Sequence, residues 1–425
     1  TVLILLAIVV EIFMPEIMRF LAPGFADEPE KFALTVTLTR ITFPYLVFIS
    51  LVSLLGGILN SFEKFAVTAA APILLNISLI TAILGFRNHF PTPAHALAWG
   101  VFAAGVLQFG WLALACKKLE LLPPLHRPRF SARVKKLLAL IGPAALGAGV
   151  AQVNLLIDMI IASTVPEGVS YLYYADRINQ LPLGVIGVGV GTALLPMLSK
   201  QMRAKDAAPA LSTQNRAIEL VLLLGLPAAA ALMIIAQPII TTLFEHGAFT
   251  PEVTAAVYPA LIAYAAGLPS FVLIKVLAPG FFANHDTKTP FYIASFCMVL
   301  NIVLNLALVG PMAHVGLALA TTIAGWMNAG LMAWVLMRRK KLVADNLFRF
   351  RLPRVVFASG MMAALLMIAY TFTQQAFSGV IWMKALTLSL LIGLGLASYG
   401  SMMLVLKIVS WSQFKGFFRR NHRVG

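Results

Sequence analysis

Charged residues are scarce in this sequence, and their scarcity limits what the chain can be. Asp, Glu, Lys and Arg make up only 11% of its 425 residues, whereas 60% are hydrophobic. A soluble domain has about 25% charged residues. Apolar runs of about 20 residues, the length that crosses a bilayer, recur along the whole chain. The composition excludes a soluble globular protein and predicts an all-α polytopic membrane protein, because the period-2 alternation of a membrane β-barrel is missing too.

The sequence is equally poor in motifs for chemistry. Its two cysteines, Cys116 and Cys297, lie in or next to apolar segments and are interpreted as free thiols. Cys/His pairs at metal-ligand spacing, glycine loops that cradle phosphate and nucleophile elbows are all missing. Glu245 and His246 are neighbours, but no second carboxylate accompanies them at a useful spacing. We therefore expect no enzyme and no cofactor, and no metal beyond a candidate Na⁺ site.

Acidic residues are half as frequent as basic ones, 16 against 32, which gives a formal net charge of +16. A nucleic-acid partner could explain this excess, but the positions of the basic residues favour another explanation. Most of them lie in one set of alternating loops, at 61–65, 117–136, 200–212, 284–288, 338–353 and the C-terminal tail. Cytoplasmic loops of membrane proteins carry such an excess. We therefore expect no nucleic-acid partner and a cytoplasmic location for both ends of the chain.

The apolar runs predict twelve membrane-spanning segments. Pro44 and Pro182 lie inside long segments and should kink them. The chain begins at Thr1 within an apolar segment that has no charged n-region and no cleavage site of a signal peptide. We therefore expect that an N-terminal part of the natural protein is missing. The predicted segments are 1–22, 32–60, 66–87, 94–116, 137–163, 168–199, 213–244, 252–283, 289–310, 314–337, 354–376 and 380–409.

Segment 168–199 carries an adjacent charge pair, Asp176 and Arg177, inside the predicted membrane span. Such charges normally face a protein interior or a water-filled cavity. The pair could neutralise itself, but successive residues on a helix do not face each other. Arg177 would then be available for an anionic ligand such as a phosphate. Arg40, one turn before Pro44, is a second candidate phosphate contact.

Further polar residues lie within the predicted spans, and each has two interpretations. Tyr173 belongs either to an interfacial aromatic belt or to a surface that stacks on a sugar. Asp158 either hydrogen-bonds a neighbouring helix or takes part in a cation or proton site. Asn301 and Asn305, four residues apart, and Thr321 on the next segment could coordinate Na⁺ or act as ordinary interhelical hydrogen-bonding groups.

Several stretches resemble one known family in the expected order: YYADRINQLPLGVIGVGVGTALLPMLSK, TRITFPYLVFISLVSLLGGILNSFEKF, LFEHGAFT and GLPSFVLIKVLAPGFFANHDTKTP. The sequence resembles the MurJ (MviN) lipid II flippases, a branch of the multidrug/oligosaccharidyl-lipid/polysaccharide exporter superfamily. The resemblance implies a fourteen-helix fold with two six-helix lobes around a cavity, of which this chain would hold helices 3–14. It predicts the remainder of the N-lobe at 1–116, a basic cytoplasmic linker at 117–136, the C-lobe at 137–337, a basic cytoplasmic loop at 338–353, a C-terminal helix pair forming a groove for the lipid tail at 354–409 and a basic tail at 410–425.

The resemblance also assigns roles to individual residues. Arg177 matches an arginine in the cavity of the family, with Asp176 beside it. Asp158, Asn301, Asn305 and Thr321 match positions where some members hold Na⁺, and Leu317 would offer a backbone carbonyl. Those members have Asp at the position of Asn305, so this chain has one carboxylate fewer. The other cavity arginines of the family lie on the first two helices, and we expect no flipping without them.

The resemblance implies that the chain flips lipid II, an undecaprenyl-pyrophosphate-linked precursor of peptidoglycan, to the outer leaflet of a bacterial inner membrane by alternating access. Na⁺, H⁺ or the membrane potential would drive it, and lipid II, membrane lipids and cell-wall synthesis proteins are the expected partners. A polysaccharide-lipid or multidrug exporter of the same superfamily, an integral-membrane enzyme acting on polyprenyl phosphates and a non-transporting cell-wall scaffold are the alternatives.

Overall fold

The computed structural model describes residues 2–122, 132–188, 194, 196–198, 200–201, 207–284, 286–343 and 345–408. All regular elements within these ranges are helices, which confirms the predicted all-α class. Both cysteines are free and buried. The chain forms two compact units, Thr1–Ile141 and Gly142–Gly425. Each unit is described separately below.

In the first unit, α7 packs against α4 and α6. Leu59 on α4 and Leu112 on α7 are completely buried at this contact. The predicted segment 32–60 is interrupted at Pro44, where α3 ends and α4 begins. The helices are α1 (Val2–Ile12), α2 (Met14–Leu21), α3 (Pro29–Thr42), α4 (Tyr45–Ser61), α5 (Phe65–Ala69), α6 (Ala71–Thr81) and α7 (Pro93–Lys118), and α8 (Ala132–Ser163) contains the boundary between the units.

In the second unit, one long helix, α12, contacts α9, α10 and α13 and forms the centre of the packing. At its C-terminal end α9 changes to a π-helix, Gly184–Val188, directly after Pro182. Proline removes one backbone hydrogen bond of the α-helix, which explains the change at this point. The helices are α9 (Gly168–Leu183), α10 (Ala207–Ile234), α11 (Ala236–Phe244), α12 (Pro251–Phe282), α13 (Lys288–Arg338), α14 (Asn346–Thr373) and α15 (Ile381–Val405).

Glycines allow α12 and α13 to approach closely. A Cβ atom at Gly267 would lie 2.6 Å from Thr322 Oγ1, and one at Gly325 would lie 2.5 Å from Phe271 Cε1. Small residues at helix contacts are typical of membrane proteins, in which backbone proximity strengthens van der Waals packing. The pair therefore needs glycine at both positions to keep its present separation.

Eight helical stretches are long and apolar enough to cross a membrane, and two shorter apolar helices accompany them in the described residues. The predicted number of twelve spans is not confirmed. Segments 289–310 and 314–337 form the two halves of α13, which are separated by non-helical backbone at Ala313 (φ 49°, ψ −134°). Segment 1–22 is divided into α1 and α2. Segment 168–199 continues beyond α9 into residues that are only partly described.

The predicted domain boundaries stay predictions. The division between the two units falls within α8. The predicted C-terminal helix pair corresponds to α14 and α15, which contact each other, and α14 also packs along α10. Much of the predicted linker at 117–136, a residue of the loop at 338–353 and the whole tail at 410–425 lie outside the described residues.

Candidate functional site

The two charged residues of α9, Asp176 and Arg177, hydrogen-bond to different partners. Arg177 Nη2 donates to Tyr173 Oη at 3.0 Å, and the guanidinium carbon lies 4.7 Å from the centre of the same ring. Gln180 Nε2 donates to the carboxylate of Asp176. Each interaction joins residues four apart, which share a helix face. Arg177 is exposed within its unit, so its guanidinium is held in one place and still has N–H groups for an anion.

Tyr173 thus has a contact that neither sequence interpretation contained. Its ring is 55% exposed and packs edge-to-face against Tyr174, with 6.2 Å between the ring centres. Its hydroxyl and its ring both interact with Arg177. The tyrosine therefore positions the arginine, and the spacing of four residues was the signal that could have revealed this.

Two other basic residues in predicted spans have distinct locations. Arg40 is exposed in the last turn of α3, in the first unit. Lys275 is partly buried on α12 in the second unit. A Cβ atom at Gly187 would lie 2.8 Å from Lys275 Cδ, so the lysine stem packs against the π-helix that follows α9. A role of Arg40 in phosphate binding stays a prediction.

The polar residues of α8 and α13 form one cluster. Asp158 Oδ1 accepts from Asn305 Nδ2 at 2.6 Å, and Asp158 Oδ2 accepts from Asn154 Nδ2 at 3.1 Å. Asn305 Nδ2 also donates to Asn301 Oδ1 at 3.0 Å. Asn301 and Asn305 are almost completely buried, with 1% and 0% exposure. The structure therefore brings the predicted ion-binding residues of two helices together.

The second half of α13 completes this cluster. Asn301 Nδ2 donates to Thr321 Oγ1 at 3.4 Å, and Thr321 Oγ1 donates to the Leu317 carbonyl at 3.0 Å. With its amide turned over, Asn301 would instead donate to Asp158 Oδ1 at 2.8 Å and accept from Thr321 N at 3.2 Å. Both orientations keep Asn301 at the centre of the cluster.

The donor set fits a hard monovalent cation. It offers a carboxylate, two amide oxygens, a hydroxyl and a backbone carbonyl, the oxygen ligands that hard cations prefer. Asn305 Oδ1 is buried and has no hydrogen-bond partner in the structure, and such an orphaned acceptor is costly. A bound Na⁺ would satisfy it. The described residues contain no group of three or more His, Cys, Asp or Glu residues suited to a metal ion.

Sequence reasoning missed a group of ion pairs at the end of the second unit that holds residues 338–353. Glu219 on α10 pairs with Arg216 and with Arg351, and Arg216 also pairs with Asp345, which caps α14. These pairs attach α14 to α10. The signals in the sequence were two acidic residues: Asp345 inside the basic stretch 338–353, and Glu219 three residues after Arg216.

Asp286 forms a second attachment at this end. Its carboxylate pairs with Arg339 and accepts from Thr289 N at 3.0 Å and Thr289 Oγ1 at 2.7 Å. Burial alone would raise the pKa of Asp286, but the Thr289 hydrogen bonds and the Arg339 charge lower it to about 2. The carboxylate is therefore ionised at neutral pH, and the turn between α12 and α13 is tied to the end of α13.

A half-buried ion pair at the opposite end was missed as well. Lys384 Nζ on α15 lies 3.1 Å from Glu245 Oε1, with side-chain exposures of 12% and 17%. Glu245 Oε2 accepts from Thr254 Oγ1 at 2.8 Å and from Thr241 Oγ1 at 3.2 Å. Glu245 and Lys384 are separated by 139 residues, so spacing could not have paired them.

Long apolar helices, an arginine held by a tyrosine on α9 and a buried oxygen cluster define a multi-pass membrane transporter. The fold matches that of solved transporters of the MOP superfamily. One is the inward-facing conformation of a multidrug resistance MATE family transporter, with a TM-score of 0.67 and 16% sequence identity over 80% of this chain and 79% of that chain. At this identity the likeness shows the fold alone.

The family follows from closer matches. The family model "Lipid II flippase MurJ" matches residues 1–388. A "Probable lipid II flippase MurJ" of Rhizobium meliloti (strain 1021) is 43% identical over 406 residues, which cover 94% of this chain and 76% of that protein. The solved inward closed conformation of a lipid II flippase MurJ matches with a TM-score of 0.77 and 25% identity over 94% of this chain and 80% of that one. The chain belongs to the MurJ family.

Proposed function

We propose that this protein, expressed from its complete natural reading frame, moves lipid II from the cytoplasmic to the outer leaflet of a bacterial inner membrane by alternating access. Family membership supports the substrate, because the matching relative and the matching solved structure both carry this function in their names. The single structural observation that carries the proposal is Arg177, an exposed guanidinium on α9 that Tyr173 holds through its hydroxyl and its ring. Because burying an unpaired charge among lipid tails is costly, we expect this guanidinium to face a cavity or an anionic ligand.

The physical role of Arg177 follows from the chemistry of the substrate. A planar guanidinium binds phosphate oxygens through two parallel N–H groups, which an ammonium cannot do. The lipid-linked pyrophosphate is anionic and would otherwise cross hydrocarbon uncompensated. Arg177 offers it a fixed positive charge, and Asp176 hydrogen-bonds Gln180 beside it. The chain forms and breaks no covalent bond in this process.

The oxygen cluster around Asp158 is the proposed site of ion coupling. If Na⁺ binds there, Asp158, Asn301, Asn305, Thr321 and the Leu317 carbonyl hold it, and the ion supplies the electrochemical driving force. Because α13 carries most of these residues and packs on α12 and α9, occupancy can bias the packing of the helix that bears Arg177. H⁺ or the membrane potential alone are the alternatives.

The orientation is proposed from charge. Helix ends near the basic loops, including the ion pairs of Glu219, would face the cytoplasm, as would the C-terminus. The end with Glu245 and Lys384 would face outward. Cell-wall synthesis proteins stay predicted partners, with no direct support.

A complementation experiment tests the function. The protein, expressed from its complete natural reading frame, should restore growth to cells depleted of their own lipid II flippase. Arg177→Ala and Arg177→Lys should fail at equal membrane abundance, because neither side chain provides a planar fork. Rescue by Arg177→Ala would contradict the proposed mechanism and favour a scaffold. The mechanism would be supported if only the wild type rescues growth and if both Arg177 variants fail to flip lipid II in reconstituted vesicles.

A further inference from the structure

A polar cavity lies at the proposed outer end of the second unit. Its volume is about 570 Å³, and it is an open cavity lined by α11, the start of α12, the end of α14, the short 3₁₀ helix Gln374–Ser378 and the start of α15. The volume falls within the range of about 300–1,000 Å³ that is typical of small-molecule sites. Its polar lining includes Gln237, Glu245, Tyr370, Gln374, Ser378 and Lys384.

The two charged residues of this cavity neutralise each other. Lys384 Nζ and Glu245 Oε1 are 3.1 Å apart, and two threonine hydroxyls donate to the other carboxylate oxygen. Neither charge is therefore left over for an ionic ligand. A strongly anionic group such as a pyrophosphate would be repelled by Glu245, and a cation would compete with Lys384. The cavity is suited to a ligand without net charge.

The remaining polar groups are amides and hydroxyls. Gln237 and Gln374 each carry a carbonyl acceptor and two N–H donors, and Ser378 adds a hydroxyl. Tyr370 Oη donates to Gln237 Oε1 at 3.3 Å, which holds both side chains on the wall. Such a set can donate to and accept from many hydroxyls at once, as a polyol requires.

Aromatic rings complete the lining. Tyr370 and Phe377 pack edge-to-face with 6.2 Å between their ring centres. Aromatic faces give an apolar platform beside oriented polar groups. A second cavity of the same unit, about 270 Å³ and lined by residues such as Ile218, Leu273 and Leu277, lacks this chemistry and suits a hydrocarbon. The polar lining thus distinguishes the outer cavity from this second cavity.

We propose that this outer cavity binds a neutral saccharide, with the amides of Gln237 and Gln374 bonding its hydroxyl or acetamido groups and Tyr370 or Phe377 contacting a sugar face. The sugar is either free at the outer membrane surface or attached to a lipid. In the second case the inference rests on the proposed function, and the cavity would receive the glycan after it has passed Arg177.

The test uses the purified full-length protein in nanodiscs and N,N′-diacetylchitobiose, a neutral disaccharide, as the probe. Binding to the wild type should saturate. Gln374→Leu and Gln237→Leu should each weaken it at least tenfold. Gln375→Leu is the matched control, because Gln375 is the exposed neighbour of Gln374 and its side chain does not line the cavity. Its affinity should equal that of the wild type. Cationic glucosamine and anionic glucose 6-phosphate should bind more weakly than neutral glucose.

The outcomes separate this site from the proposed function. Absence of saturable chitobiose binding, or equal affinity in Gln374→Leu and the wild type, overturns the saccharide site whatever the flipping assay shows. Binding that is lost in both leucine variants supports the site even if the protein moves no lipid. A thermal melt shows that each variant is folded, and the exposed Gln374 should tolerate leucine. Displacement of chitobiose by lipid II added to the nanodisc identifies a lipid-linked sugar, whereas unchanged binding identifies a free one.

Discussion

Replacing Asp158 by Asn tests whether the oxygen cluster binds Na⁺. The amide keeps the shape of the carboxylate and can still accept from Asn305, but its NH₂ group then meets the NH₂ of Asn154, which now donates to Asp158 at 3.1 Å. Asp158 is the only carboxylate among the residues assigned to this site. The substitution thus removes its whole negative charge with little change in volume.

The loss of charge sets the magnitude of the effect. Opposite unit charges about 4 Å apart interact by about 4 kcal/mol at an effective dielectric constant near 20. Each 1.4 kcal/mol is a factor of ten in affinity, so Na⁺ binding should weaken by roughly a thousandfold. A ligand present at 100 times its dissociation constant stabilises the folded state by about 2.7 kcal/mol. The same Na⁺ concentration would leave Asp158→Asn without measurable stabilisation.

The assay is the thermal melting temperature of the purified protein as NaCl replaces choline chloride at constant ionic strength. The wild type should melt higher in Na⁺, and Asp158→Asn should show no shift. Asp176→Asn is the matched control, because it removes a carboxylate on α9 that hydrogen-bonds Gln180 and lies outside the cluster. Asn305→Asp adds a second carboxylate and should bind Na⁺ more tightly than the wild type. An undiminished Na⁺ shift in Asp158→Asn would refute the assignment.

Three further predictions concern stability. Gly325→Leu should force α12 and α13 apart and destabilise the protein by about 1–3 kcal/mol, as measured by thermal melting. Gly330→Ala is the control and should leave the stability unchanged, because there is open space around its Cβ position. Lys384→Met should destabilise by about 1–3 kcal/mol because it leaves the half-buried Glu245 carboxylate without its cationic partner. Adding Glu245→Gln should recover part of the loss, and additive effects would contradict the pairing. Because the pKa of Asp286 is lowered, the stability that its ion pair contributes is complete above the ordinary pKa of 3.8 and is lost as the pH falls toward 2. Asp286→Asn should therefore reduce the dependence of the melting temperature on pH over this range. An unchanged pH dependence in this variant would count against the ion pair.

The features of this protein that depend on local sequence patterns could be predicted from the sequence. Asn301 and Asn305 could be placed on one face because a helix brings residues four apart together. The adjacent charges of Asp176 and Arg177 were expected to find different partners for the same geometric reason. The all-α class followed from composition, since a chain with 11% charged residues cannot remain a soluble globule.

Side-chain pairs between residues far apart in the sequence could not be predicted. Nothing in the sequence joins Glu245 to Lys384 across 139 residues. The predicted span count is not confirmed. The two predicted spans on either side of Ala313 are separated by non-helical backbone at that residue, and the apolar run at 1–22 is broken near Phe13. The meeting of Asp158 with Asn305 was suggested by resemblance and required tertiary packing to be seen.

The attachment of the last two helices has a mechanical consequence. Ion pairs fasten α14 to Glu219 at one end, the Tyr399 hydroxyl donates to the Leu223 carbonyl at 2.6 Å midway, and Lys384 fastens α15 to Glu245 at the other end. Helices that are attached at a single point can rotate about it, whereas helices attached at three separated points move as one rigid body. We therefore expect α14 and α15 to move together with α10 and α11, so that any surface they offer to a lipid tail changes its orientation with those helices.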